Sequence, residues 1–234
     1  MNAREKMYSR LRAFSRTSSF ITFLVGLLVL VGWKFDITVL MSVLPGTVTM
    51  KTNTALCFIL FGASLWMLVP EQTGQKVRSI ARVFAFIGTI IGALSLSEYI
   101  FDLNLGIDQL LFHELTGTVE TFHPGRMAPN TALNFIMLGL ALLLLDVKTL
   151  VSQFLTMLAG LVGLLSLMGY FFGVRALYGM SFYTPMALNT SVIFILLSLG
   201  VLLTRPSHGF MDVVTSEHSG SFMLRRILPA TIVI

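Results

Sequence analysis

One motif occurs three times along the chain, and it constrains the fold more than any other feature. Each copy has Met, then an Asn-Thr pair, then Phe and a small residue at fixed spacing, and each opens a long apolar run. The copies are Met50, Asn53, Thr54, Phe58 and Gly62; Met127, Asn130, Thr131, Phe135 and Gly139; and Met186, Asn189, Thr190, Phe194 and Ser198. Because the Met, Thr, Phe and small residue are each four apart, a helix places them on one face. The motif therefore predicts a helical unit that is used three times.

A second pattern precedes each copy of the motif. A glycine is followed seven residues later by an aromatic residue and then, two residues further, by phenylalanine. The three sets are Gly26, Trp33 and Phe35; Gly92, Tyr99 and Phe101; and Gly163, Tyr170 and Phe172. Since both patterns recur together, the predicted unit is a pair of helices.

Composition predicts that these helices cross a membrane. Hydrophobic residues make up 55% of the 234 residues, and charged residues make up 12%. Six uncharged stretches approach or exceed the roughly 20 residues that span a bilayer, namely 17–33, 52–70, 83–97, 127–145, 149–174 and 176–204. They are continuous and do not alternate as barrel strands do. The predicted fold is an all-α integral membrane protein with three tandem transmembrane hairpins in a pseudo-threefold repeat.

The hairpins divide the chain into six predicted parts. These are a cytoplasmic basic N-terminus (1–17), three hairpins (18–70, 83–146 and 149–204), a cytoplasmic linker (205–226) and a final apolar run (227–234). The first stretch lacks a small-residue cleavage site, which favours a retained span over a signal peptide. The final run is too short to cross a bilayer, so we expect it to begin a seventh span in a longer protein.

Lysine and arginine predict the orientation. With the N-terminus in the cytoplasm, twelve of the 16 basic residues lie on the cytoplasmic side and four lie outside, as the positive-inside rule requires. The four outer residues are Lys34, Lys51, Arg126 and Arg175. The net charge of +5 then indicates contact with anionic lipid head groups and not with nucleic acid. We expect a multi-pass protein of the bacterial inner membrane.

The second outer loop is longer than the other two. Tyr99 and Asn130 are 31 residues apart, whereas the corresponding separations in the first and third units are 20 and 19. The extra residues, 106–126, include Asp108, His113, Glu114, Glu120 and His123. Because variation on a repeated scaffold collects at the working face, this insertion marks the outer side as the functional one.

The Asn-Thr pairs allow two interpretations. In the first, they cap helix starts, a role that suits Asn and Thr and, at Pro129, the proline that precedes Asn130. In the second, three positive helix ends converge on one polar pocket for an anionic or carbonyl-bearing ligand. The predicted pocket contains Asn53, Thr54, Asn130, Thr131, Asn189 and Thr190, with Arg126 and His123 at its rim.

Three further groups have alternative roles. Glu98 and Asp102 either reach water at the outer interface or form a proton- or cation-responsive site. His113 and His123 either lie in a solvated loop or contribute to a metal site or a pH response, although their spacing matches no tight metal motif. The Met and Phe stripe either packs the bundle or lines an apolar slot for a lipid-soluble molecule.

Catalytic signatures are missing from the sequence. It has no Walker loop, G-x-S-x-G, H-E-x-x-H, kinase or dinucleotide motif, and no cofactor is indicated. The single cysteine, Cys57, lies inside the second apolar stretch and cannot form an intramolecular disulfide. We therefore expect no enzymatic activity within this chain.

Three phrases resemble a known kind of membrane region. MAPNTALNFIMLGLAL (127–142), GIDQLLF (106–112) and LRRILPA (224–230) are similar to the N-terminal membrane sensor region of bacterial PAS-containing sensor histidine kinases and diguanylate cyclases. The resemblance covers nearly the whole chain. It implies cytoplasmic PAS, kinase or GGDEF output domains downstream, about eight spans in the parent protein, and a homodimer formed through those domains.

The sequence thus predicts a sensory input module that detects a small ligand or a membrane condition at its outer half. Two alternatives remain open at this stage. Repeated hairpins with converging helix ends also occur in transporters and channels, although inverted repeats are missing here. A purely structural anchor that sets dimerisation is the third possibility.

Overall fold

Helices form most of the part of the chain that the computed structural model describes, which is 3–44, 46–114, 121, 123–178 and 184–215. The helices are α1 (Ala3–Phe35), α2 (Thr38–Met41), α3 (Thr52–Leu68), α4 (Gln75–Ile100), α5 (Pro129–Leu144), α6 (Thr149–Phe172), α7 (Leu188–Leu202) and α8 (Gly209–Thr215), with a 3₁₀ turn at Arg175–Leu177. These described residues include no β-strand. The predicted all-α class is confirmed. The predicted seventh span lies outside the described residues.

The six main helices fall into two length classes. Helices α1, α4 and α6 are long and apolar enough to cross a membrane. Helices α3, α5 and α7 have 17, 16 and 15 residues, which corresponds to about 22–26 Å against a hydrocarbon thickness of about 30 Å. The sequence predicted no such difference.

The largest discrepancy is at the third hairpin. The apolar stretch 176–204 contains a 3₁₀ turn and an extended segment before its helix begins at Leu188. Pro185 disfavours helical backbone at Thr184, and apolar composition alone does not distinguish buried extended chain from helix.

The long and short helices form a closed bundle. Each long helix packs on the short helix that follows it in the chain, so the pairs are α1 with α3, α4 with α5, and α6 with α7. Helix α1 also contacts α7, which closes the ring, and the three short helices contact one another in the middle. Large apolar side chains such as Phe20, Phe86 and Phe154 are exposed on the long helices, which therefore present the outer apolar surface.

Three phenylalanines fill the centre of the bundle. Phe58, Phe135 and Phe194 come from the three short helices and are each fully buried. Their ring centroids are 5.0 Å apart for Phe58 and Phe135, and 4.9 Å apart for the other two pairs. Such edge-on contacts are worth about 0.5–1.5 kcal/mol per pair beyond burial. The rings therefore hold the short helices together at the axis.

Glycines in the long helices allow close crossings. A Cβ on Gly26 would lie 2.6 Å from the Ala55 carbonyl oxygen, and one on Gly92 would lie 2.9 Å from the Ala132 oxygen. Distances this short are not tolerated, so α1 and α4 approach their short partners this closely only because a glycine is present.

Ion pairs join the helix ends at one face of the bundle, which we call the basic end. Arg12 pairs with Glu71, and Asp146 pairs with both Arg78 and Arg205. Arg205 also donates to the Leu68 carbonyl oxygen at 2.9 Å. Because Leu68 ends α3 and Arg205 follows α7, these contacts fix two short helices to each other.

Helix α8 continues from the basic end and packs against α6. The Gln153 side chain accepts from the Phe210 N–H at 2.6 Å and donates to the His208 carbonyl at 3.0 Å. Helix α8 lies at Gly209–Thr215, within the segment 205–226 that the sequence predicts as a linker.

We expect Phe135→Ala to lower the free energy of unfolding by about 3–5 kcal/mol, because it empties a ring site at the centre of the bundle. Phe86→Ala is the matched control, since the same truncation in α4 removes a ring that is 55% exposed. Unfolding in mixed detergent measures both changes. Equal losses for the two variants would contradict the central role of the Phe135 ring.

Candidate functional site

Extended backbone leads into each short helix at the face opposite the basic end, which we call the Asn-Thr end. Segments 48–51, 126–128 and 184–187 have no regular secondary structure, and their methionine carbonyls cannot bond within a helix. An aromatic side chain from the preceding long helix donates to each one. The bonds are Trp33 Nε1 to Met50 O at 2.8 Å, Tyr99 Oη to Met127 O at 2.9 Å and Tyr170 Oη to Met186 O at 2.7 Å. These bonds satisfy backbone that lies away from water.

Each Asn of the repeated motif occupies the second position of its helix. Its side-chain oxygen accepts from the backbone N–H of the threonine that follows, at 2.9–3.0 Å in all three cases. The residues that precede the three helices make no side-chain cap bond; they are Lys51, Ala128 and Ala187. The Asn oxygen therefore satisfies one of the free N–H groups of the first turn, and Thr54, Thr131 and Thr190 are held buried behind it.

The Asn amide nitrogens differ among the three copies. Asn130 Nδ2 donates to the Tyr178 carbonyl at 3.2 Å, and Asn189 Nδ2 donates to the Met41 carbonyl at 3.1 Å. Each of these bonds joins one hairpin to another. Within the described residues, Asn53 Nδ2 is buried without a hydrogen-bond partner. Asn53 is thus the exception, and it lies two residues after Lys51, whose side chain contacts Glu114 of the insertion.

Three residues of the predicted pocket line two separate cavities. Asn130 lines a cavity of about 170 Å³ with Pro129 and Thr184. Arg126 and His123 line another, of about 220 Å³, with Asp108 and Gln109. Neither cavity contains Asn53 or Asn189, which are 6% and 7% exposed. A single pocket that joins all three Asn-Thr starts remains a prediction.

Arg126 lies inside an ion cluster. It is 5% exposed, and its Nε lies 2.7 Å from Asp108 Oδ2 and 3.3 Å from Glu98 Oε2. Its Nη2 donates to the Leu103 carbonyl at 3.2 Å, and its guanidinium stacks 5.2 Å from the centre of the Tyr99 ring. One arginine thus connects the end of α4, the insertion and the start of α5.

A second buried ion pair attaches the insertion to the first hairpin. Lys51 Nζ lies 2.5 Å from Glu114 Oε1, and both side chains are almost fully buried. The other Glu114 oxygen accepts from the Gly125 N–H at 2.6 Å, and Lys51 Nζ also donates to Thr121 Oγ1 at 3.0 Å. Burial lowers the pKa of Lys51, and the neighbouring Glu114 carboxylate acts in the opposite direction. Lys51 and Glu114 are 63 residues apart in the sequence, and no spacing rule indicates that they pair.

The acidic and histidine candidates lie in different surroundings. Glu98 is fully buried, whereas Asp102 is exposed at a left-handed turn with φ 51°, so only Asp102 reaches water. His113 Nδ1 lies 3.0 Å from Gln109 Oε1, and the His123 ring packs 5.9 Å from the Tyr99 ring. Among the described residues, no group of three or more His, Cys, Asp and Glu side chains is placed to hold a metal.

Comparisons of the chain with protein-family models, curated proteins and solved structures find no match.

The Asn contacts predict unequal effects of one substitution. Asn→Asp keeps the oxygen that accepts the threonine N–H but replaces the donating nitrogen. At positions 130 and 189 the new oxygen faces a carbonyl, so we expect a loss of about 1 kcal/mol or more. At position 53 no donated bond is lost, and the negative charge lies at a helix start beside Lys51. Thermal unfolding compares the three variants, and a larger loss at position 53 would contradict this assignment.

The Lys51–Glu114 pair predicts a strong coupling. Lys51→Met leaves the Glu114 carboxylate buried without its cation, which we expect to cost about 3–5 kcal/mol. The double variant Lys51→Met with Glu114→Leu removes both charges and recovers most of that loss. Unfolding of the two single variants and the double variant gives the coupling energy. Additive losses would argue against a direct pair.

Proposed function

We propose that this chain is the membrane-embedded input module of a bacterial signal-transduction protein. In this proposal the three hairpins are copies of one unit, and the Asn-Thr end senses a small ligand or a membrane condition. The supporting observation is the insertion 106–126. It is the one marked departure from the repeated loop lengths, and buried ion pairs attach it to Lys51 at the start of α3 and to Glu98 near the end of α4.

The contacts provide a route from the insertion to the basic end. Lys51 lies immediately before α3 and Arg126 lies three residues before α5, so movement of the insertion acts on the starts of these helices. At the other end of α3, Leu68 is bonded to Arg205, which leads into α8. A shift of α3 along its axis therefore changes the position from which the chain continues toward a downstream output domain.

A transporter is less well supported. Alternating access requires a path past the substrate site, whereas the axis between the short helices is filled by the rings of Phe58, Phe135 and Phe194. The closed bundle suits transmission of a displacement better than passage of a solute.

The proposed orientation places the basic end in the cytoplasm, following the charge bias. Single cysteines at Lys76 and Lys148 should then resist a membrane-impermeant thiol reagent applied to intact cells, and one at Gly46 should react. Cys57 is fully buried, so the native background is low. Labelling of position 76 but not position 46 would reverse the topology.

Signalling is tested in the protein with its downstream sequence. A PAS, kinase or GGDEF sequence beyond Ile234 supports the input role, whereas a stop after one or two further spans supports a transporter. Given an output domain, Asn130→Asp should change the output activity per molecule of folded protein, because it introduces negative charge at the sensing end. Asp102→Asn, at an exposed site, is the control. An unchanged stimulus response in Asn53→Asp, Asn130→Asp and Asn189→Asp would reject ligand sensing by the motifs.

A further inference from the structure

Two carboxyl groups compete for one arginine beneath the insertion. Glu98 comes from α4 and Asp108 from the insertion, and they are 0% and 6% exposed. Both lie within 3.3 Å of Arg126 Nε, a nitrogen that carries a single hydrogen. Because an oxygen of each lies this close to the same nitrogen, the two carboxyl groups are also near each other. They therefore form one unit.

The oxygens of this unit do not all have donors. Glu98 Oε1 accepts from the Leu105 N–H at 2.8 Å, and Asp108 Oδ2 accepts from Arg126 Nε at 2.7 Å. The remaining oxygens, Glu98 Oε2 and Asp108 Oδ1, are buried and have no hydrogen-bond partner among the described residues. Buried polar atoms are normally hydrogen-bonded, and one hydrogen shared between these two oxygens satisfies both.

The charges lead to the same conclusion. Arginine stays protonated in proteins, so two ionised carboxylates and Arg126 leave one uncompensated negative charge. Lys51 does not supply the missing cation, because it is already paired with Glu114. A buried uncompensated charge is costly, and neighbouring carboxyl groups avoid it by retaining a proton.

We propose that Glu98 and Asp108 together bind one proton, held between Glu98 Oε2 and Asp108 Oδ1. One carboxyl group then donates to the other, and with Arg126 the cluster is neutral. Loss of the proton leaves two carboxylates that repel across the contact between α4 and the insertion. The site thus makes the attachment of the insertion sensitive to pH, and it is a property of this chain whether or not the sensor role holds.

The direction of the pH effect follows from proton counting. In the unfolded chain both carboxyl groups are ionised at neutral pH, so the folded state binds one more proton than the unfolded state. Stability then falls as the pH rises, until the proton is lost from the folded state as well. The other charged or titratable groups at the cluster are Arg126, Tyr99, whose ring lies under the guanidinium, and His123, which packs on Tyr99.

Infrared spectroscopy of the purified chain tests the proposal directly. We expect a carboxylic-acid C=O band at neutral pH that shifts in D₂O and disappears at high pH. Glu98→Gln and Asp108→Asn should each remove the band, while Asp102→Asn, an exposed acid in a left-handed turn that Asn also adopts, should retain it. Wild type without such a band at neutral pH, or a band that survives both substitutions, overturns the proposal.

Thermal unfolding across pH gives an independent result. The amide group that Glu98→Gln introduces can donate to Asp108 permanently, so this variant should lose the part of the pH dependence that one bound proton contributes. Asp102→Asn should keep it. His123→Gln should also keep it, which separates the pair from a histidine, because imidazole groups generally change charge near neutral pH. Loss of the effect in His123→Gln, or dependence of stability on sodium or potassium in place of pH, contradicts proton binding.

Discussion

Buried backbone outside a helix still needs hydrogen-bond partners. The rest of this structure depends on how that need is met. Three short helices begin after extended segments, so three methionine carbonyls need donors from outside their own helices. Trp33, Tyr99 and Tyr170 supply them. This explains why an aromatic residue with a polar hydrogen lies seven positions after each crossing glycine. The glycine brings two helices together, and the aromatic side chain then reaches the segment that enters the second helix.

Much of this arrangement could be predicted from the sequence because it depends on spacing within helices. The motif placed Asn53, Asn130 and Asn189 at helix starts, and it placed Phe58, Phe135 and Phe194 on equivalent faces. The lengths of the short helices could not be predicted, since Met186 and Ala187 are as apolar in extended chain as they would be in a helix. The burial of Glu98 could not be predicted either. Its partners Asp108 and Arg126 are ten and 28 residues away in sequence, and they meet it only through the fold of a loop.

The contacts at the three Asn-Thr motifs differ where the insertion reaches the bundle. At two of the three motifs the Asn amide bonds to a carbonyl of another hairpin, while the Asn beside Lys51 donates no such bond within the described chain. Near that Asn the insertion contributes a charged contact, from Glu114 to Lys51. Neutral hydrogen bonds respond little to pH, whereas the stability of an ion pair changes when one of its groups gains or loses a proton. The three junctions therefore differ in what can disturb them, although their sequences share one motif.

Cys57 gives the bundle a native reporter of its own opening. The thiol is fully buried on α3, and its sulfur lies 3.8 Å from the Gly88 carbonyl oxygen of α4. A reagent reaches it only when these two helices separate, so the rate of thiol modification measures the population of locally opened molecules. Because it is the chain's single cysteine, no substitution is needed, and that rate can be compared directly across pH values and lipid environments.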